Sequence, residues 1–175
     1  MRTTLLGCAQ LALIAILTAC GIEPARTPQE PAADEGKPPA AIMTIVKEEQ
    51  VAGVGTYCWP QPQGPALCAD AVGIPTAQEP LSIDAPFTAN FEIPVNRGPT
   101  VVRLSVIAVG PESEMSMQAG GYRWWQPQPG ESMDLQAENL PEADLDLEPG
   151  LYVLNLFVSW QNFGDASYGF LVQVV

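Results

Sequence analysis

The chain has 175 residues, of which seven are Lys or Arg and 20 are Asp or Glu, so its formal net charge is −13 at pH 7. An acidic surface repels nucleic-acid phosphates and anionic lipid headgroups, which argues against nucleic-acid partners. The sequence contains no histidine, which excludes Ser-His and Cys-His nucleophile pairs and histidine-containing zinc sites. The length allows one domain and a tail.

The N-terminal segment has the organisation of an export signal. Arg2 precedes an apolar run over residues 5–17, and the small residues Thr18 and Ala19 then lead to Cys20. This run is shorter than the roughly 20 apolar residues of a membrane-spanning helix. The pattern therefore predicts a secretory signal rather than a transmembrane segment.

The four residues Leu17-Thr18-Ala19-Cys20 resemble the bacterial lipobox. This resemblance implies that residues 1–19 are a lipoprotein signal peptide and that the Cys20 thiol carries lipid. The mature protein would then be extracytoplasmic and lipid-anchored to the cell membrane or the outer membrane. The alternative is an ordinary signal peptide that ends near a cysteine.

Residues 20–40 predict a disordered tether between the lipidated cysteine and the domain. Five prolines lie here among small and charged residues, so the segment cannot bury enough apolar area to fold alone. A proline-rich chain of this length lifts a domain clear of the lipid headgroups.

Cys58 and Cys68 flank a proline- and glutamine-rich stretch in "YCWPQPQGPALCAD". If Cys8 is removed with the signal peptide and Cys20 is lipidated, Cys58 and Cys68 are the two cysteines that remain. Outside the cytoplasmic membrane such a pair is expected to form a disulfide. Two thiolates fall short of a four-ligand zinc site, and the spacing is not the C-x-x-C of redox proteins. We therefore predict a structural disulfide.

From residue 41 onward the apolar residues alternate with a period of two, which is typical of strands. The clearest segments are "FTANFEIPV", "TVVRLSVIAV", "LYVLNLFVSW" and "SYGFLVQVV", and "QNFGDA" between the last two predicts a hairpin connection. The second segment is apolar on both faces, which indicates a central strand. Weaker strands are predicted near 42–47, 55–59, 67–72, 81–84, 121–126 and 132–136. Seven to nine short strands over residues 41–175 predict an all-β fold, an antiparallel β-sandwich.

The stretch "LDLEPGLYVLNL" resembles the D-x-G-x-Y corner of immunoglobulin-like domains, with Glu148, Gly150 and Tyr152 at the three positions. The resemblance implies an Ig-like sandwich in which the Tyr152 hydroxyl bonds to upstream backbone. Glu148 replaces the usual aspartate and the disulfide is local, so membership in the antibody family is not predicted. "GTYCW…CAD" with "YGFLVQV" also resembles uncharacterised bacterial lipoproteins, and that resemblance implies no activity.

Acidic residues alternate with apolar ones in "EADLDLEPG". In an extended segment, Glu142, Asp144, Asp146 and Glu148 share one face, where carboxylate oxygens are ligands suited to Ca²⁺. The alternative is an edge strand or corner with a solvated acidic face.

The segment "GYRWWQPQPG" at 121–130 echoes "YCWPQPQG" at 57–64. If the segment is a strand, Trp124 and Trp125 point to opposite faces, so one enters the core and the other lies outside or under a loop. An exposed tryptophan beside Tyr122 and Arg123 is suited to stacking on a sugar ring or gripping a peptide. The alternative is that both loops pack on each other and the tryptophans fill the ends of the sandwich.

The sequence thus predicts a membrane-anchored, non-enzymatic binding or structural module of the cell envelope, without a cofactor. Its partner is expected to be an envelope protein or a glycan. One alternative is a carbohydrate-recognition module that uses an exposed tryptophan. The other is a carboxylate-based hydrolase, since the many acidic residues allow the carboxylate pair of a glycosidase.

Overall fold

The computed structural model describes residues 36–116 and 120–175. In this part of the chain the only helical element is a 3₁₀ turn at Pro111–Ser113, and no helix is long and apolar enough to cross a bilayer. The predicted signal peptide, Cys20 and most of the predicted tether lie outside the described residues. The strands are β1 (Ile42–Ile45), β2 (Glu48–Val51), β3 (Gly53–Trp59), β4 (Leu67–Ala69), β5 (Ile74–Thr76), β6 (Leu81–Ile83), β7 (Phe87–Glu92), β8 (Val101–Val109), β9 (Glu114–Met115), β10 (Arg123–Trp125), β11 (Glu131–Asp134), β12 (Glu142–Leu145), β13 (Gly150–Trp160) and β14 (Gly164–Val174).

These strands form three sheets. A four-stranded sheet has the order β12-β7-β1-β2, and a seven-stranded sheet has the order β11-β8-β13-β14-β3-β4, with β6 pairing in parallel to β14. A small sheet has the order β5-β10-β9. All the other pairings in the described residues are antiparallel, so the predicted antiparallel β-sandwich is confirmed.

The main core lies between the four-stranded and seven-stranded sheets. In β7, Phe87, Ala89 and Phe91 are buried while the residues between them are exposed, as period-two alternation predicts. The even-numbered residues of β13 and β14 enter the same core from the other sheet. The rings of Phe91 and Phe170 meet across it, with centroids 5.5 Å apart.

A second, smaller core lies on the other face of the seven-stranded sheet. Ile107, Val153 and Leu171 project from β8, β13 and β14 towards Ile74 and Trp125 of the three-stranded sheet. The central strands are therefore covered on both faces, which is why "TVVRLSVIAV" carries apolar residues on both sides. As predicted, β8 is central, between β11 and β13.

All the strands predicted from alternation are present in the structure. The four clear segments are β7, β8, β13 and β14, and the six weaker ones are β1, β3, β4, β6, β10 and β11. The strand number exceeds the predicted seven to nine partly because β2, β5, β9 and β12 also form. β2, β5 and β9 have only two to four residues each, too few for alternation to mark them as strands. β12 is the edge strand that the alternation in "EADLDLEPG" offered as an alternative to a calcium site.

Tyr152 fixes the point where the chain passes from one sheet to the other. The preceding strand, β12, belongs to the four-stranded sheet, and β13 belongs to the seven-stranded sheet. The Tyr152 hydroxyl donates to the Glu148 carbonyl oxygen at 2.9 Å. This is the hydrogen bond that the resemblance to immunoglobulin-like corners implied.

Cys58 and Cys68 form the predicted disulfide. They face each other directly in β3 and β4, with their Cα atoms 4.0 Å apart, so the bond ties the edge strand β4 to the sheet. Part of the predicted tether also packs on the domain, because Gly36 and Pro38 are buried. The Gln61 side-chain amide donates to the Gly36 carbonyl oxygen at 3.1 Å.

Candidate functional site

Trp125 is the tryptophan that points inward from β10. It is fully buried in the smaller core, and its indole N–H donates to the Thr76 hydroxyl oxygen at 2.9 Å. Its ring is not accessible to a ligand, so Trp125 leaves the set of candidate ligand residues. Trp124 is half-buried and points the other way, as strand geometry requires.

Arg123 is held by neighbours within its own sheet. Its guanidinium donates two hydrogen bonds to the Glu114 carboxylate, at 2.9 and 2.8 Å, and lies over the Trp125 ring at 4.6 Å. The hydrogen bond from Arg123 lowers the pKa of Glu114. These contacts show Arg123 joining β9 to β10, and Tyr122 is half-buried just before the strand.

The two echoing segments occupy different cores. The Trp59 ring packs edge-to-face against Trp160 and Phe163 in the main core, with centroids 5.5 and 5.1 Å apart. Trp125 lies in the smaller core, on the opposite face of the seven-stranded sheet. Each tryptophan therefore fills a core, as the alternative predicted, but the two do so separately.

The acidic residues of "EADLDLEPG" line a solvated edge. Glu142 and Asp144 are exposed on the edge strand β12, whereas Ala143 and Leu145 between them are buried. The Thr88 hydroxyl donates to an Asp144 carboxylate oxygen at 2.6 Å. Within residues 36–116 and 120–175, no three acidic or cysteine side chains converge as metal ligands would. The arrangement favours the edge-strand alternative over a calcium site of Asp144, Asp146 and Glu148.

A groove with a volume of about 410 Å³ lies on the outer face of the seven-stranded sheet, beside the three-stranded sheet. One row of facing residues crosses its floor from β11 through β8 and β13 to β14. Along this row Ser132 faces Ser105, Ser105 faces Asn155, and Asn155 faces Gly169. The volume falls within the range of small-molecule sites, roughly 300–1,000 Å³.

Two glycines allow the walls of the groove to approach the sheet closely. A Cβ on Gly169 would collide with the Pro75 carbonyl, so β5 reaches the sheet only because residue 169 has no side chain. A Cβ on Gly130 would likewise collide with the Val106 carbonyl, where the loop at 127–130 lies against β8. Prolines and glycines thereby frame a polar floor.

The floor retains unused hydrogen-bonding capacity. The hydroxyls of Ser105 and Ser132 bond to each other at 2.9 Å, and the Ser167 hydroxyl donates to the Thr56 carbonyl oxygen at 3.1 Å. Each hydroxyl oxygen has two lone pairs, so these contacts leave acceptor sites open. Asn155 makes no side-chain hydrogen bond to any described residue, which leaves both its amide oxygen and its NH₂ group available.

An exposed aromatic ring lies on the same face of the seven-stranded sheet, in the row of residues next to the row that forms the groove floor. Phe157 follows Asn155 by two residues in β13 and is 38% exposed. Its neighbour across the strands, Arg103, is bound to Asp134 by an N–H···O contact of 2.8 Å. The charge of Arg103 beside Phe157 is thus paired, and none of the groove-lining residues is Asp, Glu, Lys or Arg.

Sequence reasoning did not find this groove. Asn155 and Ser105 are among the few polar residues inside strongly apolar strands, and that interruption was the available signal. Their meeting depends on strand register, because they lie in strands 50 positions apart. No model of a known protein family matches the chain, and a search of curated proteins finds no similar sequence. The chemistry of the groove therefore has to be inferred from its own residues.

Proposed function

We propose that this protein is a lipid-anchored, extracytoplasmic component of the cell envelope whose sandwich domain is a non-enzymatic binding module. The observation that carries the proposal is the groove over Ser105, Asn155 and Ser167, which is lined by hydroxyl, amide, proline and glycine groups. Neutral groups of this kind bind by hydrogen bonding and shape, whereas acid–base catalysis uses titratable ones.

The anchoring part of the proposal draws on the lipobox-like residues 17–20 and on the disulfide. A disulfide between Cys58 and Cys68 suits an oxidising compartment outside the cytoplasm. Each buried acyl methylene contributes about 0.8 kcal/mol to membrane binding, so two chains on Cys20 make a stable anchor.

The hydrolase alternative needs two facing carboxyl groups, one of them with a raised pKa. No carboxylate lines the groove. The pKa of Glu114 shifts downward, because Arg123 stabilises its charged form. The geometry of the described residues therefore favours binding over hydrolysis.

The anchor can be tested by metabolic labelling with an alkyne analogue of palmitate in a bacterial host. We expect the full-length protein to be labelled and the Cys20→Ser variant to be unlabelled. Cys8→Ser is the matched control, because it removes a cysteine from the same segment and should retain the label. Equal labelling of both variants, or of neither, contradicts the anchor at Cys20.

The groove can be tested by co-sedimentation of the detergent-purified protein with envelope fragments from which the lipid has been extracted. Ser132 is exposed on the groove floor, so Ser132→Trp is expected to fill the groove and abolish co-sedimentation. Ser82→Trp is the matched control, since Ser82 is exposed on β6 and lies outside the groove. If both variants co-sediment like the parent protein, or if the parent does not co-sediment, the groove is not the binding site.

A further inference from the structure

We propose that the groove binds a neutral oligosaccharide, with Asn155 as its central hydrogen-bonding residue and Phe157 as a stacking platform. This inference rests on the proposed binding function and names the chemical class of the ligand. It places the sugar on the seven-stranded sheet, away from the tryptophan that the sequence suggested.

Charge favours an uncharged ligand. The chain carries a net charge of −13, and its summed field repels anions from the surface. A cationic ligand would require a carboxylate partner in the groove, and the lining contains none. Neither sign of charge is therefore complemented at the floor.

The hydrogen-bonding groups match a ligand that both donates and accepts along its length. The Asn155 amide offers a carbonyl oxygen and two N–H donors, and the paired hydroxyls of Ser105 and Ser132 offer open lone pairs. A sugar hydroxyl is one donor and one acceptor on the same atom, so a row of such groups is complementary to a row of sugar hydroxyls.

An extended peptide fits this floor less well. Peptides that bind sheets add to an edge strand through main-chain hydrogen bonds. Here Asn155 lies in the middle of β13, which is paired along its length with β8 on one side and β14 on the other. The backbone is already paired, so only side chains remain to hold a ligand, as in sugar binding.

The apolar surfaces near the floor suit the C–H face of a sugar ring. Phe157 presents a partly exposed flat ring on the same side of the sheet, and Pro75 and Pro127 border the groove. A flat aromatic ring of this kind has the shape and the apolar face to stack on such a C–H surface. A chain of sugar rings could then contact Asn155 and Phe157 together.

The test uses the full-length protein in detergent on immobilised probes. The probes are neutral oligomers of glucose, galactose, mannose and N-acetylglucosamine, oligomers bearing uronate or sulfate groups, and proline-rich peptides. We expect binding to a neutral oligomer that is unaffected by added salt, since no ion pair is involved.

Variants then assign the binding to the groove. Asn155→Ala should weaken binding about tenfold, the effect of losing one or two hydrogen bonds. Asn90→Ala is the matched control, because Asn90 is exposed on β7 in the other sheet. Phe157→Leu should weaken binding, whereas Phe157→Trp, which keeps a flat ring, should preserve it. Urea unfolding of each variant verifies that it is folded.

Three results would overturn the inference: binding to no neutral oligomer, preference for the anionic oligomers or peptides, or binding unchanged by Asn155→Ala. The co-sedimentation assay separates this failure from failure of the proposed function. If no sugar binds but Ser132→Trp still abolishes co-sedimentation, the groove binds a ligand of another class. If Ser132→Trp co-sediments like the parent protein, the proposed function itself fails.

Discussion

Replacement of Gln50 by leucine is expected to destabilise the protein strongly, because its side-chain amide substitutes for a missing strand. At Leu171, β14 has passed the last residue paired with β3 and has not yet reached the first residue paired with β6. Gln50, which is 5% exposed, fills this gap. Its amide oxygen accepts from the Leu171 N–H at 2.7 Å, and its NH₂ group donates to the Leu171 carbonyl at 3.0 Å and the Glu79 carbonyl at 3.2 Å.

The magnitude follows from the backbone groups that leucine leaves without a partner. Each buried N–H or C=O that loses its hydrogen bond costs about 1–3 kcal/mol, and Gln50→Leu strands both groups of Leu171. The added apolar burial offsets part of this loss, so we expect the free energy of unfolding to fall by about 3 kcal/mol.

Gln173→Leu is the matched control. The Gln173 amide also donates to two carbonyls, those of Gly150 and Val174, at 3.1 and 3.0 Å. Gln173 is only half-buried, so water can replace its amide and the expected loss is about 0.5–1 kcal/mol.

Urea unfolding followed by tryptophan fluorescence measures both variants, with the slope m unchanged and the midpoint shifted. If Gln50→Leu costs no more than Gln173→Leu, the amide does not act as a strand substitute and the reasoning is refuted.

Four further predictions concern stability in the same assay. Tyr152→Phe should lower the free energy of unfolding by about 1 kcal/mol, because it removes the corner hydrogen bond. Tyr168→Phe should be neutral or stabilising, because the Tyr168 hydroxyl is buried without a hydrogen-bond partner among the described residues, and burial raises its pKa. Val46→Asn should stabilise by about 1 kcal/mol, since Val46 has φ 58° in an exposed turn where a β-branched residue is strained. Replacing Cys58 and Cys68 together by serine should cost about 2.7 kcal/mol in the chain-entropy model.

Each of these has a result that contradicts it. If Tyr152→Phe and Tyr168→Phe change the free energy of unfolding equally, the Tyr152 hydrogen bond does not stabilise the corner. A destabilised asparagine variant at position 46 would show that the turn does not strain valine. A double serine variant as stable as the parent protein would show that the disulfide does not constrain the unfolded chain.

Much of the fold could be predicted from alternation within single strands. The buried faces of β7, β13 and β14 match the pattern in "FTANFEIPV", "LYVLNLFVSW" and "SYGFLVQVV". The corner hydrogen bond of Tyr152 was also predictable, because the residues that make it are only four positions apart. The three-stranded sheet was not, because β5 and β9 are too short to show a period.

The candidate site was predicted less well than the fold. The tryptophan pair drew attention to β10, but Trp125 is fully buried between the three-stranded sheet and the seven-stranded sheet. The groove instead depends on Asn155, which stands out in the sequence only as one polar residue in an apolar strand.

The sequence by itself determined which residues point inward and which outward along each long strand, because side chains alternate between the two faces wherever the strand lies. Only the tertiary structure decided which strands are neighbours and in what register. Ser132, Ser105, Asn155 and Gly169 form one row because four separate strands align there. That alignment is set by the packing of two cores on opposite faces of a single sheet, and such long-range packing leaves no periodic trace in the local sequence.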